Sequence, residues 1–172
     1  MSSPFVAVLM GSDSDLATMH STLEVLDQLG VAYEVKITSA HRTPDATHEY
    51  VRDAAQRGCA VFIAAAGLAA HLAGTVAALT IRPVIGVPME AGPLKGHDAL
   101  LSTVQMPGGV PVACVAIGGA GARNAAYLAA QIMAVSDAAL AQRVQADRAA
   151  QGETVAAKDR ALQDRRRGTT TA

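Results

Sequence analysis

Tryptophan is absent from this sequence, and aromatic residues make up only 3% of it. A surface that stacks nucleobases needs aromatic faces, so a nucleic-acid-binding role is not expected. The same shortage leaves few rings to flank a flavin. Charge of one sign is also missing: the formal net charge is −1, and no global field gathers polyanions. Only two cysteines occur, Cys59 and Cys114, both in apolar runs and in no metal-ligand spacing. They are expected to be small buried hydrophobes, and nothing calls for a metal or an oxidising compartment. The start, Met1 to Phe5, lacks the basic region and apolar run of a secretory signal. The stretch from Phe62 to Ile81 is apolar apart from His71 and two threonines, but Ala and Gly dominate it and the histidine interrupts it. A strand turning into a helix explains it better than a membrane span, and the cytoplasm is the default compartment.

What is present is ample for one globular domain: 172 residues, 51% hydrophobic and 17% charged. Apolar runs of strand length alternate with segments of helical period. Strands are expected at Pro4–Met10, Val31–Ile37, Ala60–Ala65, Val84–Val87 and Pro111–Ile117. Helices are expected over Ser14–Leu29, Pro44–Arg57, Ala69–Leu79 and Asp98–Val104, then one long helix from Ala122 to about Arg148. This alternation predicts an α/β fold: a flavodoxin-like three-layer sandwich with a five-stranded parallel sheet and a C-terminal helical extension. The domain is expected over residues 1–150. Residues 151–172 read as a polar tail, either solvated or a short helix packing on a neighbouring subunit, with Val155 and Leu162 seven apart.

Ligands of such sheets bind beyond the carboxyl ends of the strands, so the residues that follow each strand carry the functional signal. Gly11-Ser12-Asp13-Ser14-Asp15 follows the first strand. Glycine admits a ligand close to the backbone, and Ser12, Ser14 and the helix-start N–H groups suit an anion. Asp15 suits sugar hydroxyls. Helix capping accounts for the same residue types equally well. Thr38-Ser39-Ala40-His41-Arg42-Thr43-Pro44 follows the second strand. Thr43 is expected to cap a helix that begins at Pro44. That leaves His41 and Arg42 unexplained: an imidazole able to move protons in both directions, beside a fork for phosphate or carboxylate. The third strand ends in the small-residue loop Gly67 to Gly74, where His71 is either a ligand contact or a satisfied structural histidine. His20, His48 and His97 read as surface residues. A partial dinucleotide fingerprint at Gly119 lacks its last glycine and its acidic partner, and no Walker A sequence occurs. A response-regulator receiver would need an acidic residue where the third strand gives way to Ala and Gly.

Five segments taken together resemble the N5-carboxyaminoimidazole ribonucleotide mutase family, the PurE class of purine synthesis. They are Gly11–Asp15, Ser39–Pro44, Ala69–Leu72, Val104–Pro111 and Ala125–Ile132, in register from about Phe5 to Arg143. The resemblance implies a cofactor-free isomerase. It would move a carboxylate from the exocyclic nitrogen of the ribonucleotide to ring carbon 4, by decarboxylation and recarboxylation. It implies His41 as the acid–base and substrate contacts at Ser12, Asp15 and Arg42, with Ser14, Ser39, Gly67 and His71 as further contacts. It also implies a homo-octamer, supplied by an ATP-dependent carboxyaminoimidazole ribonucleotide synthase. The small loops around Gly67 and Gly108-Gly109 are expected to wall and cover the pocket. The chain departs from the family pattern at Leu68, which replaces a glycine, and at Leu16, Ala73 and Gly119. The alternatives are a carboxylase that uses free CO2 and a non-catalytic nucleotide-binding module.

Overall fold

The computed structural model describes residues 4–169. Its first strand, β1 (Phe5–Met10), is buried at every position, as a continuous apolar run requires when both faces of a sheet are covered. A 3₁₀ turn, Asp13–Asp15, leads into helix α1 (Leu16–Gln28). Then follow β2 (Tyr33–Ile37), α2 (Pro44–Gln56), β3 (Cys59–Ala66), α3 (Leu72–Ala77), β4 (Val84–Pro88), α4 (His97–Val104), β5 (Ala113–Cys114), α5 (Gly118–Ala134) and α6 (Ala138–Thr169). The apolar stretch Phe62–Ile81 is, as expected, a strand leading into a short helix, and among the described residues no helix is long and apolar enough to cross a membrane.

The five strands are all parallel, in the order β2-β1-β3-β4-β5. Side chains alternate across β1, so Val6, Val8 and Met10 enter one core and Phe5, Ala7 and Leu9 the other. Helices α1, α5 and α6 cover the first face, and α2 and α3 cover the second. This is the expected three-layer sandwich.

Close approach of α5 comes from a stripe of alanines at helical spacing: Ala122, Ala125, Ala126, Ala129 and Ala130, all fully buried. The buried Thr22 hydroxyl of α1 donates to the Ala122 carbonyl at 2.7 Å and ties the two helices together. The single helix expected from Ala122 to Arg148 is two helices. The chain breaks after Ala134, and Asp137 restarts it by accepting from the Leu140 N–H at 2.9 Å. Helix α6 docks through Leu140 and Val144, and through Arg143, whose Nε donates to the Leu29 carbonyl at 2.7 Å. It then continues without interruption past residue 150. Its side chains beyond Asp147 are exposed as far as Arg167 except Ala156, and residues 170–172 of the predicted tail lie outside the described residues.

Strand β5 is shorter than the expected Pro111–Ile117. Only Ala113 and Cys114 pair with β4, because the chain turns sharply at Ala116–Gly121 to enter α5. A methyl at Gly121 would overlap the Ala116 carbonyl. Of the cysteines, Cys59 is fully buried and its thiol is pushed up to about 11 by burial, whereas Cys114 is only half-buried.

Gly86 lies in β4 where α3, α4 and the sheet meet. A Cβ there would sit 2.3 Å from Thr103 Cγ2 and 3.2 Å from Ala73 Cβ. Gly152, in the exposed half of α6, has nothing within 4 Å of the same atom. Gly86→Ala should therefore destabilise by about 1–3 kcal/mol, the scale of overpacking. Gly152→Ala should stabilise by about 0.5–1 kcal/mol through helix propensity. Denaturant melts of the two variants should shift in opposite directions.

Candidate active site

Three loops at the carboxyl edge build the site. The first leaves β1 at Gly11 and forms a capping box. Ser12 Oγ accepts from the Ser14 N–H at 3.3 Å, and Asp15 Oδ2 accepts from the Ser12 N–H at 3.3 Å. Capping and ligand contact are therefore not alternatives here. The cap fixes these polar groups in place, and both residues still face the cleft. Burial of the Asp15 carboxyl, together with repulsion from Asp13, raises its pKa from the ordinary aspartate value, against the pull of the Ser12 N–H.

The second loop, between β2 and α2, is held by hydroxyls. Thr38 Oγ1 and Thr47 Oγ1 lie 2.7 Å apart in the core. Thr43 precedes Pro44 as expected, but its hydroxyl does not cap α2. It accepts from the Ser39 N–H at 2.9 Å and donates to the Ser39 carbonyl at 3.2 Å, closing the turn that carries His41 and Arg42. The Arg42 N–H donates to Ser39 Oγ at 3.1 Å, and its Nη2 reaches across to donate to the Gly11 carbonyl at 3.2 Å. That bond takes one of the five N–H donors of the guanidinium.

The third loop, after β3, carries Gly67, Leu68 and His71. Ser102 of α4 holds it from behind: its Oγ accepts from the Ala70 N–H at 3.0 Å while donating to the Asp98 carbonyl at 2.8 Å. Nothing in the Ser102 sequence neighbourhood signals this, because the contact spans 32 residues. Leu68 is left-handed, with φ of 56°.

The three loops, together with Ala91 of the loop after β4, line a cleft of about 530 Å³. Ser12, Ser14, Asp15, Ser39, His41, Arg42, Gly67 and His71 all line it, so the eight residues singled out in the sequence converge on one place. Ala91, from the loop after β4, is a wall residue the sequence did not single out. The expected cover at Gly108-Gly109 is not over this cleft. Gly109 lines a separate cavity with Arg82 and Pro83 at the amino end of β4. His20 and His97 are exposed and His48 half-buried, all away from the cleft. Among the described residues no group of His, Cys, Asp or Glu is placed to hold a metal ion.

At the centre of the cleft, His41 Nε2 and His71 Nδ1 lie 2.8 Å apart, with the rings edge to face at 79°. A hydrogen bond between two ring nitrogens needs one N–H and one lone pair. The pair therefore holds one proton between two bases, in a position to be lent to a ligand or taken from it. Serine hydroxyls and a guanidinium beside it suit a phosphorylated, hydroxyl-rich ligand.

An imidazole pair at the β1/β3 switch point of a 2-1-3-4-5 sheet, beside serine hydroxyls and a guanidinium, is the site of an α/β enzyme suited to proton chemistry. The profile of the family described as AIR carboxylase matches residues 5–154, and the chain belongs to that family. It is 53% identical over 152 residues to the N5-carboxyaminoimidazole ribonucleotide mutase of Bacillus subtilis (strain 168), covering 88% of this chain and 94% of that one. It is 50% identical over 159 residues to the mutase of the same name from Vibrio parahaemolyticus, covering 92% and 99%. The crystal structure of Treponema denticola PurE superposes with a TM-score of 0.84 at 28% identity, covering 93% of this chain and 99% of that one.

The raised Asp15 pKa has a consequence for stability. A carboxyl that resists ionisation in the folded state stabilises the fold when protonated and loses that contribution as pH rises through its folded pKa. Asp15→Asn keeps an acceptor for the Ser12 N–H and removes the buried charge. Its melting temperature should exceed that of the unsubstituted protein at neutral pH, and the difference should vanish as pH falls below the carboxylate range.

Proposed function

We propose that the protein is an isomerase of de novo purine synthesis. It moves the carboxylate of N5-carboxyaminoimidazole ribonucleotide to ring carbon 4, giving 4-carboxy-5-aminoimidazole ribonucleotide. The observation that carries the reading is the His41–His71 hydrogen bond inside a cleft rimmed by serines and Arg42. The relatives named for this mutase, about half identical over most of the chain, favour it over a carboxylase fed by dissolved CO2. The paired imidazoles favour it over a module that only binds nucleotide.

His41 protonates the exocyclic nitrogen as the N–C bond of the carbamate breaks and CO2 departs. The enamine-like ring then attacks CO2 through carbon 4. Neutral His41 removes the proton from that carbon and restores aromaticity, so no net proton is consumed. His71, bonded to His41 Nε2, orients the ring between the two transfers. Arg42 with Ser12, Ser14 and Ser39 binds the phosphate, and Asp15 the ribose hydroxyls. Gly67 keeps the loop backbone close to the base. Remote phosphate binding then positions the reacting carbon.

The reading extends to a cytoplasmic homo-octamer fed by an ATP-dependent carboxyaminoimidazole ribonucleotide synthase. Exposed Ile81 and Val135 support burial against further copies, and Val155 and Leu162 support a neighbour along the residues from 151 onward.

Freshly made substrate, labelled on its carboxylate and fed in unlabelled bicarbonate without ATP or metal, tests the reaction. Label should appear in the carbon-4 product with little dilution. His41→Asn should lower turnover by at least ~10²–10⁴-fold, the range for general acid–base catalysis, with folding retained. Fully diluted label, with dissolved CO2 and aminoimidazole ribonucleotide as the better substrates, would establish a carboxylase instead. Activity of His41→Asn within about threefold of the unsubstituted protein would remove His41 from the mechanism.

A further inference from the structure

The cleft is chemically divided by the sheet order. Loops from β1 and β2 contribute the serines, Asp15 and Arg42, whereas loops from β3 and β4 contribute Gly67, Leu68, Ala69 and Ala91. His41 and His71 meet where the two halves join.

The apolar half is held by an interlock. The last hydrogen bond between the β3 and β4 chains runs from the Met89 N–H to the Ala66 carbonyl at 2.9 Å. Beyond it the two loops touch through a reciprocal pair of gaps. A Cβ at Gly67 would lie 2.9 Å from Ala91 Cβ, and a Cβ at Gly92 would lie 2.7 Å from Leu68 Cδ2. Each loop thus presents a glycine to the other's side chain. To reach Gly92, Leu68 adopts φ of 56°, a region that leucine enters only at a cost. Leu68 nevertheless keeps 52% of its surface exposed, so burial alone does not explain why it is held there.

We infer that Leu68 is a positioning residue that latches the loop after β4 to the cleft, so that CO2 released from the substrate stays beside the ring until it is recaptured. This rests on the reaction proposed above. CO2 is small and uncharged, and no ion pair can retain it. An apolar side chain on the rim closes its path and keeps water out.

The test measures label retention in the full chain carrying Leu68→Ala or Leu68→Gly. The alanine variant keeps the strained backbone and loses the latch. The glycine variant loses the latch and relieves the strain, so it carries the test if the alanine variant fails to fold. Either should raise exchange of the transferred carboxylate with bicarbonate by at least on the order of threefold, and Leu68→Met should restore retention. Retention is a ratio per turnover, so a merely less stable fold does not move it. Unchanged retention in Leu68→Gly would overturn the inference and leave the mutase reading intact. Diluted label in the unsubstituted protein would instead overturn the mutase reading. Amide hydrogen exchange over residues 89–96 would then judge the latch alone: faster in Leu68→Gly supports it, and unchanged refutes it.

Discussion

The chain leaves β1 toward one face of the sheet and leaves β3 toward the other, and the site depends on that divergence. Helix α1 packs with α5 and α6, whereas α3 packs with α2 on the opposite side. Because β1 and β3 are neighbours, their departing loops part and open a gap at the carboxyl edge. Every polar contact of the cleft spans this gap or flanks it. Arg42 crosses from the β2 loop to the Gly11 carbonyl, and His41 meets His71 from the far side of the divide. The gap is kept open by rigid surroundings rather than by its own walls. Fully buried β1, the alanine stripe of α5 and the Thr22 hydroxyl fix one side, and Ser102 of α4 fixes the other.

Much of this was legible in the sequence because it follows from local rules. Continuous apolar runs gave β1 and β3, glycines marked the turns, and the fold class dictated that residues after the strands would meet. His41 and Arg42 stood out because Thr43 and Pro44 explained the helix start and left those two unexplained. The misses involve contacts that periodicity does not encode. An alanine-rich segment reads as helix throughout, so the interruption after Ala134 was invisible. Its restart depends on the Asp137 side chain reaching the Leu140 N–H. Strand β5 was overestimated because its apolar residues continue into a turn whose tightness is set by Gly121 against Ala116. The composition of Gly108-Gly109 suggests a cleft loop, yet α4 returns the chain to the amino end of the sheet before β5, and Gly109 lies there.

The capping box shows why local readings of such loops are ambiguous. Ser12 and Asp15 satisfy the orphan N–H groups of the turn and also face the cleft. The same chemistry serves both ends, because a helix start that attracts a carboxylate also attracts a phosphate. Thr43 shows the converse. It sits at a capping position, but its hydroxyl closes the turn around Ser39, and that turn presents the imidazole.

The proposed role of the imidazole pair rests on the hydrogen bond between His41 Nε2 and His71 Nδ1, which needs one N–H and one lone pair before substrate arrives. Nitrogen-15 spectra of the protein with ring-labelled histidine, recorded near neutral pH, test this most directly. A pyrrole-like nitrogen on one ring and a pyridine-like nitrogen on its partner, at His41 Nε2 and His71 Nδ1, is the predicted result. Two pyridine-like nitrogens, or two protonated ones, at those positions would contradict the shared proton and with it the role of the pair.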